Sequence, residues 1–211
     1  MVNGRSTARV VLLALLALSG CGGDSGIVTP ADGATNTPGP LTLSIALAAP
    51  SVDGLVVTSG KLELHRLSVF GDVAADARTM VAQVTLAFPT DSGDLTFTTA
   101  PFGLYSRVRA DLDEIQVHGT WRGAPLSIQL EAEGNAVDLR GPTLDYEPAD
   151  EAHFAVSIAT SSWFDPACLD SAIDDNGTLR VDGSHNANCA AALITALQAS
   201  FTLTAVPASP Q

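Results

Sequence analysis

The chain has 211 residues, of which 46% are hydrophobic and 16% are charged, and its formal net charge is -13 at pH 7. This composition provides enough apolar material for a folded core, which excludes an intrinsically disordered acidic chain. The excess of acids predicts that nucleic acid is not a partner, because binding to phosphates normally needs a basic patch and the net charge gives no sign of one. It also predicts repulsion from anionic lipid headgroups.

The N-terminus has the pattern of a secretory leader. Arg5 and Arg9 make the first residues positive, and an unbroken run of nine apolar residues follows at 10–18. Nine residues are too few for a transmembrane helix, which needs about 20, but they fall within the roughly 7–15 of a signal peptide. Small residues then precede a cysteine, as a signal peptidase requires. Residues 1–20 are therefore predicted to be a signal peptide.

The tetrapeptide LSGC, which ends at Cys21, resembles the lipobox of bacterial lipoproteins. This resemblance implies that the Cys21 thiol is alkylated with diacylglycerol, that the chain is cut just before it, and that the new amino group is acylated. Two or more acyl chains anchor a protein stably, so the membrane would be reached through the lipid. Gly22 stands where enteric lipoproteins retained at the inner membrane have aspartate. We therefore expect the outer membrane, facing the periplasm or the cell surface. An ordinary signal peptide with an incidental cysteine is the alternative.

Residues 21–40 are predicted to be the lipidated cysteine and a flexible tether. The 19 residues after Cys21 contain five glycines and three prolines and hardly an apolar pair, so they cannot form a core. A flexible coil of this length has an r.m.s. span on the order of 25 Å. Such a span is enough to hold a domain clear of the lipid headgroups.

From Leu41 onward, apolar and polar residues alternate with the period of a β-strand. In the second such strand the apolar parity changes near His65 and Arg66, which predicts a β-bulge there. Further strands are predicted at 80–88, 95–97, 104–112, 115–121, 126–132, 137–139, 154–158 and 201–206. Because no long helix separates these strands, we expect a single mainly β domain at 41–206, an antiparallel β-sandwich.

The C-terminal part departs from this alternation. Residues 188–200 are rich in alanine and place apolar residues at helical spacings. They are predicted to form one helix packed on the sandwich, with Ser184 or Asn186 as its N-cap. Residues 207–211 are predicted to be a tail.

Four stretches of the domain carry a family resemblance: LTLSIALAAP, KLELHRLSV, TAPFGLYSRVRADL and HFAVSIATSSWFD. They are similar to segments of uncharacterised Gram-negative envelope lipoproteins that contain a β-sandwich domain of unknown function. In that group an A-P-x-G-x-Y-x-x-x-R segment leads into a central strand, and it is matched here by Ala100, Pro101, Gly103, Tyr105 and Arg109. The resemblance implies a fold and a compartment, and it supplies no catalytic residues.

The sequence lacks the motifs of common enzyme classes. It contains no Gly-x-Ser-x-Gly elbow, no phosphate-binding glycine loop and no His-Glu-x-x-His helix. The histidines at 65, 118, 153 and 185 lie far apart in sequence, so they predict no metal centre, and the one cofactor candidate besides the covalent lipid is a calcium ion. We expect a non-catalytic binding or structural module of the envelope. A glycan-directed hydrolase, with a carboxylate pair that a sequence cannot reveal, is the alternative.

One predicted strand carries a candidate binding face. Tyr105, Arg107 and Arg109 alternate with its apolar residues and are expected on its polar side. An aromatic ring beside two guanidinium groups suits an envelope glycan or a protein partner. The alternative is that both arginines pair with acids of neighbouring strands, such as Asp111 or Glu63, and keep the sheet soluble.

Asp174, Asn176 and Asp182 form a candidate calcium site, because they are oxygen donors within a short span. Their spacing does not match an EF-hand, since the first and twelfth loop positions would fall on an alanine and a glycine. The alternative is a plain β-hairpin with Asn176-Gly177 as its turn and an acidic fringe.

Cys168 and Cys189 are predicted to form a disulfide. Export places them in an oxidising compartment, and lipidation of Cys21 leaves an even count of two cysteines. The bridge would join the segment before the predicted hairpin to the first turn of the helix. A zinc site formed by both thiols and His185 is the alternative, and it would be incomplete.

Overall fold

The alternating pattern becomes ten β-strands in the computed structural model, which describes residues 39–73, 76–147, 153–172 and 177–206. The strands are β1 (Gly39–Leu47), β2 (Leu55–Phe70), β3 (Arg78–Phe88), β4 (Asp91–Ala100), β5 (Gly103–Trp121), β6 (Ala124–Glu131), β7 (Ala136–Tyr146), β8 (His153–Ile158), β9 (Leu179–Val181) and β10 (Phe201–Val206). The helices are α1 (Pro166–Ser171) and α2 (Ala187–Ala199), with a 3₁₀ turn at Thr160–Ser162. Within these described ranges, no helix is long and apolar enough to span a membrane. The predicted signal peptide, Cys21 and the tail at 207–211 lie outside them.

The strands form two mixed sheets. Sheet A has four strands in the order β10-β8-β1-β4, and sheet B has the order β3-β2-β5-β6-β9, with β7 also paired to β5. The long β5 carries two neighbours on one edge, because β7 pairs with its first half and β6 with its second half. The fold is mainly β, as predicted, but the purely antiparallel arrangement is wrong. Strand β1 pairs in parallel with β8, and β6 pairs in parallel with β9.

One hydrophobic core receives side chains from both sheets. Leu41, Leu43, Ile45 and Leu47 of β1 are at most 2% exposed, because the alternation turns all four to one side. The largest fully buried side chains include those of Trp121, Trp163, Tyr105, Tyr146, Phe154 and Phe164. Burial of one large apolar side chain contributes on the order of 1.5–3 kcal/mol, so this set accounts for much of the drive to fold.

A β-bulge in β2 lies where the sequence predicts it. The register with β5 shifts between His65 and Ser68, which adds one residue to β2. Arg66 within this bulge has a left-handed φ of 50°. The extra residue moves the following apolar side chains to the opposite parity and so keeps them in the core.

A second bulge lies in β5, opposite Glu63. The register adds a residue to β5 at Asp113 and Glu114. The predicted strands 104–112 and 115–121 are therefore one continuous strand. The interruption of the alternating pattern between them is this bulge and not a turn.

Helix α2 lies one residue earlier than the predicted 188–200. Asn186 occupies the N-cap position with a φ of 59°, but its side chain makes no capping hydrogen bond. The side-chain amide instead donates to the carbonyls of Ala172 and Arg180. Asn186 thus ties the start of α2 to the end of α1 and to β9.

Helix α1 ends before the predicted hairpin, and β9 is the strand that was predicted to follow its turn. Asp165 accepts a hydrogen bond from the backbone N–H of Ala167, and Pro166 takes the first helical position. An aspartate cap followed by proline is a helix-start signal that was present in the sequence. Strand β9 pairs in parallel with β6, and residues 173–176, which include Asn176 of the predicted turn, lie outside the described ranges.

The predicted disulfide is present and links Cys168 of α1 to Cys189 of α2, with their Cα atoms 5.3 Å apart. It therefore joins two helices and not a helix and a hairpin. The chain leaves sheet A after β8, adds β9 to sheet B and returns to sheet A as β10. The disulfide links α1, which precedes β9, to α2, which follows it.

Candidate functional site

The outer surface of sheet B carries most of the basic residues that follow residue 20. Eight basic residues follow residue 20, and five of them are arginines on four neighbouring strands of this sheet. We call the surface the arginine face, and it consists of Arg66, Phe70, Arg78, Met80, Arg107, Arg109 and Arg140. Six of these side chains line one open depression, together with those of Ser68, Asp111 and Asp138. The arginine face is thus a basic patch on an acidic protein.

Strand register aligns the centre of the arginine face in a row. Phe70 of β2 lies opposite Arg78 of β3 on one side and opposite Arg107 of β5 on the other. Arg107 in turn lies opposite Arg140 of β7. The guanidinium carbons of Arg78 and Arg107 are 4.9 and 5.1 Å from the centre of the Phe70 ring. Cation–π attraction therefore holds two guanidinium groups beside one ring.

Carboxylates pair with four of the five arginines. The pairs are Arg66 with Asp111, Arg107 with Asp138, Arg109 with Asp111, and Arg140 with Asp72. Arg78 has no carboxylate partner in the part of the chain that the structure describes. Because three carboxylates face five guanidinium groups, the arginine face keeps a local positive charge. Exposed ion pairs are weak, so an incoming anion can compete for these arginines.

Tyr105, which the sequence predicts on this face, is fully buried, so this part of the prediction is wrong. Its hydroxyl donates to the carbonyl of Pro101 at 2.6 Å, and burial raises its pKa to about 12. A register shift between Tyr105 and Arg107 turns the ring inward and leaves Leu104 42% exposed. Arg107 and Arg109 do lie on the arginine face, paired with acids as the alternative interpretation expected.

A serine, a histidine and an aspartate meet on sheet A. Ser44 Oγ lies 2.5 Å from Nε2 of His153 and also donates to Asp94. In a catalytic triad the histidine lies between the other two residues, whereas here the serine does. Strand β1 is paired on both edges, so its backbone N–H groups are not free to form an oxyanion hole. The cluster has the residue types of a hydrolase without their catalytic order.

Two carboxyl groups, those of Glu114 and Asp182, have a lowered pKa. A hydrogen bond from Lys61 makes the largest contribution for Glu114. Desolvation opposes ionisation of Asp182, but hydrogen bonds from the backbone of Ser184 and from His185 outweigh it and lower its pKa. A hydrolase with a carboxylate pair needs an acid whose pKa is raised. The pKa of neither Glu114 nor Asp182 is raised.

The structure describes one of the three residues of the predicted calcium site, Asp182. Asp174 and Asn176 lie outside the described ranges. The Asp182 carboxylate accepts hydrogen bonds from the backbone N–H groups of Ser184 and His185, each at 2.7 Å. It also accepts one from the Arg180 side chain. Asp182 is therefore already engaged in fixing the turn before α2.

Comparison with protein-family models, curated proteins and solved structures found no significant match. The chemistry of the site therefore rests on its own residues. The sequence pattern identified two of the five arginines, and it missed Arg66, Arg78, Arg140 and the Phe70 ring between them. One feature of the sequence could have indicated these arginines. Only eight basic residues follow residue 20, and most of them lie in strands.

Proposed function

We propose that this chain is a lipid-anchored lipoprotein of the outer membrane whose β-sandwich domain binds an anionic glycan through the arginine face. The role is non-catalytic. The observation that carries the proposal is the alignment of Arg78, Phe70 and Arg107 in one row on a positive patch. The chain as a whole is acidic, with 23 acids against 10 bases.

The arginine face suits carboxylate or phosphate groups of a polymer. A guanidinium group presents a planar fork of donors that matches these anions with two parallel hydrogen bonds. Arg78 and Arg107 stand on strands two spacings apart, which is about 9.5 Å. Two sites at this separation favour a ligand with repeated charges. Acids that lie farther away than the Debye length, which is about 8 Å at physiological salt, weaken this attraction little.

A glycan is favoured over a lipid bilayer as the ligand. The acidic surface around the arginine face would be repelled by anionic headgroups when a flat membrane approaches. A single polymer chain can follow the row of arginines without contacting the rest of the domain. The proposed lipid on Cys21 already supplies the attachment to the membrane.

Replacing Arg78 and Arg107 together by glutamine is expected to weaken binding to polygalacturonate at least tenfold. Each charge-assisted hydrogen bond contributes about 1.5–3 kcal/mol, and the double change removes both central guanidinium groups. Isothermal calorimetry on the purified chain at fixed salt measures the affinity. The matched control is Arg122→Gln with Arg180→Gln, which removes the same charge away from the face. An equal loss in the control, or no binding by the wild type, would contradict the proposal.

Replacing Cys21 by serine is expected to abolish labelling by radiolabelled palmitate and to leave an uncleaved precursor. Diacylglycerol attachment needs the thiol, and cleavage follows it. Cys189→Ala retains the LSGC sequence and serves as the control that stays labelled. Persistent labelling of the serine variant would contradict the lipobox interpretation.

The outer-membrane location has a separate test. Sedimentation of the mature protein with inner-membrane vesicles would contradict the outer-membrane location.

A further inference from the structure

A second cluster lies on the outer surface of sheet B, on the far side of the β2 bulge from Phe70. Glu63 and His65 are two residues apart on β2, and Asp113 is on β5. The three side chains place one ligand atom each within 4.8 Å of one another. We infer that Glu63, His65 and Asp113 bind a divalent transition-metal ion, with Zn²⁺ as the best fit. The cluster borders the arginine face at Arg66, which lines the same depression as His65 and Asp113 and pairs with Asp111. The inference does not depend on the proposed function.

The distances suit a metal centre. Zinc binds imidazole nitrogen and carboxylate oxygen at about 2.0–2.2 Å, so two tetrahedral ligands lie roughly 3.4 Å apart. Nε2 of His65 is 3.3 Å from Oδ2 of Asp113, which matches this separation. Glu63 then has to move its flexible carboxylate by a small distance to complete three ligands. A fourth position stays open for water.

The β-bulge in β5 builds this cluster. The extra residue in β5 brings Asp113 and Glu114 to the same side opposite Glu63. The β2 bulge begins directly after His65, where Arg66 has a left-handed φ. Without the β5 bulge the strict alternation would turn Asp113 or Glu114 into the core.

The charge around the cluster favours a cation. Glu114 adds a third carboxylate beside Glu63 and Asp113, and Glu131 of β6 lies directly opposite Glu114. Lys61 places its ammonium nitrogen 2.8 Å from Glu63 and 2.5 Å from Glu114. One ammonium group thus serves two carboxylates. When Glu63 turns towards a metal, Lys61 keeps Glu114 as its partner.

The donor set selects the metal class. A neutral imidazole with two carboxylates suits zinc, manganese, iron or nickel, whereas calcium prefers oxygen donors throughout. The side chains of Glu63, His65 and Asp113 are 16%, 40% and 24% exposed. They are therefore reachable from solvent and partly shielded from it, which strengthens their attraction to a cation.

Titration of the full chain with Zn²⁺ in an isothermal calorimeter tests the site. One zinc ion is expected to bind, and His65→Gln and Asp113→Asn are each expected to weaken it at least tenfold, since even the loss of an outer-shell partner costs about 10–100-fold. His118→Gln removes an exposed histidine of the same sheet and is expected to change nothing. Lys61→Gln removes the competing ammonium group and is expected to tighten binding.

Three results would overturn the inference. They are the absence of binding by the wild type at millimolar zinc, an affinity unchanged by His65→Gln, and an equal loss in His118→Gln. Far-UV circular dichroism checks that each variant is folded. A loss of binding by a folded variant is then caused by the missing side-chain ligand and not by unfolding.

Discussion

Replacing Trp121 by alanine is expected to lower the free energy of unfolding by about 3–5 kcal/mol. The side chain is fully buried at the end of β5, and its indole N–H donates to Oδ1 of Asp170 at 2.8 Å. Asp170 lies in α1, so this hydrogen bond connects sheet B to α1. Alanine would leave a cavity and would leave Asp170 with Arg122 as its remaining partner among the described residues. Guanidinium unfolding followed by circular dichroism measures the change.

Two phenylalanine variants separate the hydrogen bond from the loss of volume. Trp121→Phe removes the hydrogen bond to the charged carboxylate of Asp170, which contributes roughly 1.5–3 kcal/mol. Trp163 is equally buried, but its indole nitrogen has no hydrogen-bond partner within the described residues. Trp163→Phe therefore removes the same atoms without a hydrogen bond and is expected to cost less. Equal costs for the two variants would contradict the role of Asp170.

The sequence predicted the faces of the strands better than their partners. Alternation over 41–47 correctly gave the inward side of β1. Nothing local could show that β1 pairs in parallel with β8, because a side-chain pattern records burial and is blind to the direction of a neighbour. The parallel strand β9 follows a helix whose start is marked by Asp165 as the cap and Pro166 as the first helical residue.

The candidate site was predicted in part for a similar reason. Arg107 and Arg109 stood out because they share one strand. Arg78 and Phe70 come from two other strands, and only the register brings them into the same row. The predicted outward orientation of Tyr105 is wrong because the irregular pairing beside it reverses the alternation. Counting residues along the sequence cannot detect such a reversal. The sequence pattern predicted the β2 bulge, but it could not predict the strand registers or the register shift beside Tyr105.

The largest covalent contribution to stability is expected from the disulfide. Cys168 and Cys189 are separated by 21 positions, and a loop of this size contributes about 3 kcal/mol in the chain-entropy model, because the bridge restricts the unfolded chain. Both half-cystines are buried. The loop contains β9, whose three residues alone hold the edge of sheet B beside β6. Loss of the bridge is therefore expected to loosen β9 and the start of α2 before the rest of the domain.

The double change Cys168→Ala with Cys189→Ala tests this in a Cys21→Ser background, which removes the third thiol from both proteins compared. The free energy of unfolding is expected to fall by about 3 kcal/mol, and reduction of the parent with dithiothreitol is expected to reproduce most of that loss. Amide hydrogen exchange should show the largest gain at 179–181 and in the first turn of α2. Alkylation of both thiols in oxidised periplasmic material without prior reduction would mean that the bridge does not form. Equal unfolding of the parent with and without reductant would mean that it forms but does not stabilise.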